Sequence, residues 1–290
     1  MTVAMTPSAS RRLPHWMNPS VVIGGSILLL LITAAIFAPL VAPLDPIKQN
    51  IMAQLAPPGG KYLLGADIFG RDTLSRLIFG ARYSLTIGIL SIVLAVIVGS
   101  LIGMVAGNFG GKTDIVLMQT MDVVLAFPSL ILGLALVAML GATMTNIIIA
   151  IAFTAVPAFA RIARAAVISL RDREFIQAAR ALGLSNRWVL FRHILPNILP
   201  EILVMASLWM ATAVRTEASL AFIGLGIAPP APTWGGMVRQ GFDNILNTFQ
   251  LALWPSVAIL VLVLAFNLLG DGLRDAIDPR LRATRDGEAE

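Results

Sequence analysis

The sequence predicts an all-α membrane protein with six transmembrane helices and both termini in the cytoplasm. Three observations carry that expectation. First, 57% of the 290 residues are hydrophobic and only 13% are Asp, Glu, Lys or Arg, with a mean hydropathy of +0.84. A soluble domain carries about 25% charged residues. This chain has too few to clothe a water-facing surface, which excludes soluble globular, fibrous and disordered classes. Second, six apolar segments approach the roughly 20 residues that a helix needs to cross about 30 Å of hydrocarbon. Third, with the N-terminus inside, 14 of the 21 Lys and Arg residues fall on the cytoplasmic side and six outside, while Arg215 lies within a span. Cytoplasmic loops carry such an excess, so the net charge of +5 reports orientation in the bilayer and not nucleic acid. The absence of cysteine removes disulfides, thiolate chemistry and Cys-ligated metal.

Residues 1–20 are read as a cytoplasmic tail with Arg11 and Arg12. The first span, about 21–43, is far longer than the 7–15 apolar residues of a signal peptide and is read as a retained helix. An outer loop, 42–82, follows. Its end, Asp72 to Leu85, places Leu74, Ile78, Ala81 and Leu85 at helical spacing beside Arg76 and Arg82, the pattern of a helix lying at the outer interface before the second span enters. That second span is 83–106. Ala106 to Thr113 reads Ala-Gly-Asn-Phe-Gly-Gly-Lys-Thr, a loose phosphate-loop match. A phosphate loop needs a strand before it and a helix N-terminus after it, whereas a membrane helix precedes this one and Ala106 takes the first glycine position. It is read as a tight turn with Lys112 on the inner side.

The third span, 114–140, carries Asp122 and Pro128, and the fourth, 144–160, carries Pro157. Both prolines remove helical hydrogen bonds and are expected to give packing bends. The inner loop 161–197 holds seven arginines against only Asp172 and Glu174 up to Arg192. Within it, Phe175 to Leu184 is rich in Ala, Arg and Leu and is closed by Gly183, which reads as a short helix, and Ser185-Asn186 starts another turn. The fifth span, 198–225, contains Arg215 and Glu217; the sixth is 249–270. The membrane domain is expected over 21–281, with 282–290 a cytoplasmic tail.

A short helix with a small-residue face, held at the cytoplasmic surface between two spans, suits docking into a groove on another protein. The stretch Gln177-Ala178-Ala179, three residues, Gly183, nine residues, then His193-Ile194-Leu195-Pro196 resembles the "EAA" loop of ABC-importer permeases. Gln177 stands where that pattern has Glu, and His193 where it has Ile. Leu64 to Asp72, continuing through Ser75-Arg76-Leu77 and Gly80-Ala81-Arg82, is similar to the "GTD-x-x-GRD…SR…GAR" segment of dipeptide and oligopeptide permeases of the C type, with Ala66 in place of Thr. Pro229 to Gly235 is similar to their "PPTPEWG" outer loop, and Phe266 to Asp275, ending Asp278-Pro279, to their C-terminal segment.

The resemblance implies a type I ABC-importer permease fold in the cell (inner) membrane, with the loop around Gln177, Ala178, Ala179, Arg180, Gly183, Leu195 and Pro196 forming the coupling helix that seats in an ATPase. It also implies three kinds of protein partner beside the lipid bilayer and no nucleic acid: a second homologous permease subunit, one or two cytoplasmic ABC ATPase subunits, and an extracytoplasmic peptide-binding protein. No cofactor is expected on this chain, ATP and Mg being held by the ATPase subunits. Asp67, Arg71, Asp72 and Trp234 are the outer-loop candidates for contact with the binding protein, although interfacial Trp commonly serves as an anchor. Peptides are the expected substrate. The alternatives are a nickel-importing permease of the same subfamily and, in a different class, a gradient-driven secondary transporter working through Asp122 or Glu217.

Ionisable groups within spans are costly and usually face the bundle interior or a hydrated cavity. Asp122, Arg215 and Glu217 are therefore candidates either for a translocation path or for interhelical ion pairs. Arg215 and Glu217 are two positions, hence about 200°, apart on a helix and cannot both face one narrow path. His15 and His193 have no second ligand nearby, so no metal site is expected. No triad or paired-acid arrangement is present, and no catalysis by this chain is expected.

Overall fold

The computed structural model of the chain describes residues 19–277. The expected tails at 1–20, save their last two residues, and at 282–290 lie outside that range, as does the end of the membrane domain beyond 277. Helix α1 is Pro19–Ile36, followed by the one-turn α2, Ala38–Val41. After the outer segment come α3, Thr73–Phe109, α4, Gly111–Leu125, and α5, Ser129–Leu140. Next are α6, Met144–Arg171, α7, Glu174–Ala181, and α8, Asn186–Trp188, whose path continues through a π-helical turn, Val189–Ile194, into α9, Leu195–Leu220. A second π turn, Ala221–Leu225, ends the fifth span, and α10, Trp234–Asp243, and α11, Gln250–Ile277, complete the chain. The described residues hold five helices long and apolar enough to cross a membrane, or six if α4 and α5 are one span bent by 87°.

Three expectations change. The amphipathic stretch from Asp72 is not a separate interfacial helix. It is the opening of α3, whose 37 residues extend about 55 Å and so project well beyond the hydrocarbon. The third span is broken where a packing bend was expected. Pro128 has no N–H to continue the ladder and takes an extended ψ of 125°, so the chain turns here. Pro157, by contrast, is accommodated inside the continuous α6. Finally, residues 161–171, expected in the inner loop, are the last three turns of α6. Alanine and arginine are good helix formers, and Arg161 and Arg164 of these turns find carboxylates on α4.

Close approach of backbones organises the bundle. The most extensive helix contact is between α3 and α6, where Gly99, Gly103 and Gly107 recur every four residues along one face. A Cβ on Gly103 would lie 2.2 Å from the Ala160 carbonyl oxygen, and one on Gly99 2.6 Å from that of Val156. Small residues at this spacing let membrane helices pack backbone to backbone. Gly24 plays the same part between α1 and α11, where its Cβ would meet the Ala265 carbonyl oxygen at 2.7 Å. Two apolar clusters result, one centred on α3, α6 and α9 and one joining α1, α11 and Trp234. Leu29, Leu30, Ile97, Leu260 and Leu264 remain exposed, as a lipid-facing surface requires.

Candidate functional site

One end of the bundle, expected to face the cytoplasm, carries α7. Its amphipathic turn places Ile176 and Ala179 inward, at 0% and 5% exposure, and Gln177, Ala178 and Arg180 outward. The sequence expectation grouped Ala179 with the docking face; it is corrected here, because Ala179 sits one step round the helix, against the bundle. Leu182, 81% exposed, extends the outward face, which sequence reasoning missed. Pro196 is exposed and Leu195 half-buried at the start of α9.

Gly183 closes α7 through its backbone. It adopts φ +79°; its N–H donates to the Arg180 carbonyl at 2.9 Å and that of Leu184 to the Ala179 carbonyl at 3.2 Å, the paired bonds of a Schellman cap. No atom lies within 4 Å of where its Cβ would be, so the left-handed backbone accounts for the glycine. Gln177 Nε2 donates to the Asp172 carbonyl at 3.1 Å, a bond a glutamate in its place would not make. His193 lies edge-on to Trp188, ring centroids 4.7 Å apart, and to Phe175 at 6.4 Å. It thereby fills with an aromatic contact the place where the family pattern has an aliphatic one.

Hydrogen bonds tie this end to α3. Arg180 donates to Asn108 Oδ1 at 2.8 Å and Arg171 to the Gly107 carbonyl at 3.1 Å. Two further ion pairs, Arg164 with Asp114 and Arg161 with Asp122, join α6 to α4. Asp122 is thus in an interhelical pair, with both side chains about half exposed. Arg215 is exposed and donates to Thr212 Oγ1 at 3.1 Å. Glu217 is 2% exposed and accepts from Ser84 Oγ on α3 at 3.3 Å. These three residues do not form one cluster. The interhelical pair expected as one alternative for Asp122 is found, but its partner and the Arg164–Asp114 pair had no signal in the sequence, since both depend on α6 continuing past residue 160.

At the opposite end, expected to face outward, residues 42–72 fold against the start of α3. Asp67 Oδ1 accepts from the N–H groups of Phe69 and Arg71, and Oδ2 accepts from Arg71 Nε at 2.7 Å. Asp72 caps α3 by accepting from Ser75 N at 2.8 Å. Gly70, at φ +68°, lies where a Cβ would strike the Asn50 carbonyl oxygen. Arg76 Nη1 reaches the carbonyls of Pro46 and Pro230 at 3.1 and 3.5 Å, and Trp234 Nε1 donates to the Leu77 carbonyl at 2.8 Å while its ring covers Gly80. The two outer motifs, 64–82 and 229–235, therefore pack on one another. Asp67, Arg71, Asp72 and Trp234 are each at most 3% exposed. The expectation that these side chains meet a binding protein is corrected: they are the internal ties of the lobe.

Residues 99–283 match the family described as the binding-protein-dependent transport system inner membrane component. The chain belongs to that family. Residues 16–58 also match the N-terminal transmembrane domain of oligopeptide transport permease C. Among similar proteins are the dipeptide transport system permease of Alkalihalophilus pseudofirmus, 41% identical over 92% of this chain and 88% of that one, and the di/tripeptide transport system permease of Pseudomonas aeruginosa, 44% identical over 90% and 88%. The glutathione transport system permease of Pectobacterium atrosepticum is 40% identical over 90% and 87%. Among solved structures, the MetNI methionine ABC transporter aligns with a TM-score of 0.57 at 19% identity, over 70% of this chain and 97% of that one, a likeness of fold. As a member of this permease family the chain is a multi-pass membrane component of a binding-protein-dependent transport system.

Proposed function

We propose that this chain forms half of the path of an ATP-driven importer of di- and oligopeptides and receives force from separate ATPase subunits through α7. The observation that carries the reading is the construction of α7. It is a capped helix with an outward face of Gln177, Ala178, Arg180 and Leu182, bonded to the end of α3 through Arg180 and Asn108. ATP and Mg bind on the ATPase subunits, supplied by one or two polypeptides, and no step of hydrolysis falls to this chain. When those subunits close, α7 moves with them. The Arg180 and Arg171 bonds pass the displacement to α3, and the glycine-spaced contact makes α3 and α6 move as one body. A second homologous permease completes the path, an extracytoplasmic binding protein delivers substrate, and both termini lie in the cytoplasm. Peptides are favoured over nickel because the similar permeases are named for dipeptides, di/tripeptides and glutathione.

The chain has no native cysteine, which gives a direct test in the assembled complex. Ala178→Cys is expected to crosslink to a thiol on the ATPase, and Ala179→Cys, on the inward face, to crosslink much less. Equal yields from both positions, or none from position 178, would refute the docking assignment.

A further inference from the structure

The outer end holds a cavity of about 610 Å3 into which Arg71, Arg76 and Arg239 converge, beside Gln240 and Asn244, with Asp243 the one acid of its described lining. Asp67 stands outside that lining and holds Arg71 at 2.7 Å. Arg76 Nε, 3.4 Å from Asp67, is buried with no hydrogen-bond partner among the described residues. Arg239 is the accessible cation of the group. Its side chain is 45% exposed and its Nε is 3.9 Å from Asp243, too far for a strong hydrogen bond. Gly224, at φ +102°, makes room for it: a Cβ there would lie 2.0 Å from Arg239 Nη1. The last turn of the fifth span is thus shaped around a guanidinium aimed at the cavity. A planar guanidinium pairs best with a carboxylate, through two parallel hydrogen bonds, and this volume is of the order that holds a small ligand.

We infer that this cavity receives the C-terminal carboxylate of the incoming peptide, with Arg239 as its principal contact. The inference rests on the peptide reading above. Every peptide, whatever its side chains, offers that group, so the site recognises the substrate class and not a sequence.

The test uses Ala228→Cys, since Ala228 lines the cavity and is exposed. In the assembled complex, without binding protein, N-ethylmaleimide labelling of this chain is followed while alanyl-alanine or its C-terminal amide is added. The acid is expected to slow labelling severalfold and the amide to have little effect. Arg239→Gln should raise the half-protecting concentration of the acid roughly tenfold or more, the loss of one charge-assisted pair, and Arg239→Lys should restore part of it. Equal protection by acid and amide, protection indifferent to Arg239→Gln, or a thiol at position 228 that does not react at all would overturn the inference. Uptake of alanyl-alanine by the unsubstituted complex separates the two failures. Uptake without selective protection leaves the peptide reading standing and removes the carboxylate site; no peptide uptake removes both.

Discussion

At position 183 the backbone holds φ +79° and closes α7 with two hydrogen bonds, so even a methyl group costs about 1–2 kcal/mol there. Gly183→Ala is therefore expected to reduce uptake moderately. Gly183→Asn should be better tolerated, because asparagine visits this region, and Gly183→Val should nearly abolish uptake while membrane insertion stays normal. Uptake ranked instead by side-chain size alone would mean that space against the ATPase, and not backbone conformation, fixes this glycine. Asp67 makes a different demand. It accepts from two backbone N–H groups and from Arg71, inside a lobe where Arg71 and Arg76 are both buried. Removing one partner of a buried ion pair costs about 3–5 kcal/mol. Asp67→Ala should loosen residues 42–72, read as faster cleavage by protease added from outside; an unchanged cleavage rate would contradict the structural role. The sequence marked Gly183 both as the close of a short helix, which the structure bears out, and as part of a docking face, and it assigned Asp67 to a partner alone. Their roles depend on backbone torsion and on burial under a distant segment, neither of which spacing reveals.

Among elements, the pairing of α3 with α6 is set by three glycines. Gly103→Leu would drive a side chain into the Ala160 carbonyl; overpacking of this kind costs about 1–3 kcal/mol and should lower the thermal midpoint of the purified complex and its uptake together. Gly25→Leu is the matched control on α1, where no atom lies within 4 Å of a Cβ, and it should leave both unchanged. A fall in the midpoint for Gly25→Leu as large as that for Gly103→Leu would show that glycine content, and not helix contact, is being measured. The existence of the spans was legible, since an uncharged run of about 20 apolar residues is long enough to cross the hydrocarbon and too greasy to sit in water. Their ends were less so. Residues 161–171 read as loop because their arginines look like orientation signals, while their pairing with Asp114 and Asp122 becomes visible only once α4 and α6 are packed. The break at Pro128 was foreseen as a bend, but its size, 87°, depends on where α5 finds its neighbours. The short helix within 172–184 was legible because its closing glycine carries a local signal.

At the scale of the molecule, one end of the bundle presents α7 and the other a closed lobe where the motifs 64–82 and 229–235 meet, with α3 running between them. Under the proposed coupling, a displacement at Arg180 is carried along α3 to the cavity at the far end. The charge deficit announced the membrane, but the mutual packing of the motifs 64–82 and 229–235 could not be read from it or from the crowding of arginines near α7. If α7 is the receiving element, energy must enter at that end as ATP hydrolysis. The most direct test is peptide uptake into proteoliposomes that hold the whole complex, with binding protein on the outer side and ATP sealed inside. Uptake is expected to require internal ATP, to persist when proton and sodium gradients are collapsed, and to be lost in Gly183→Val while the isolated ATPase remains active. Uptake that proceeds without ATP and stops when those gradients are collapsed would contradict a role for α7 in coupling.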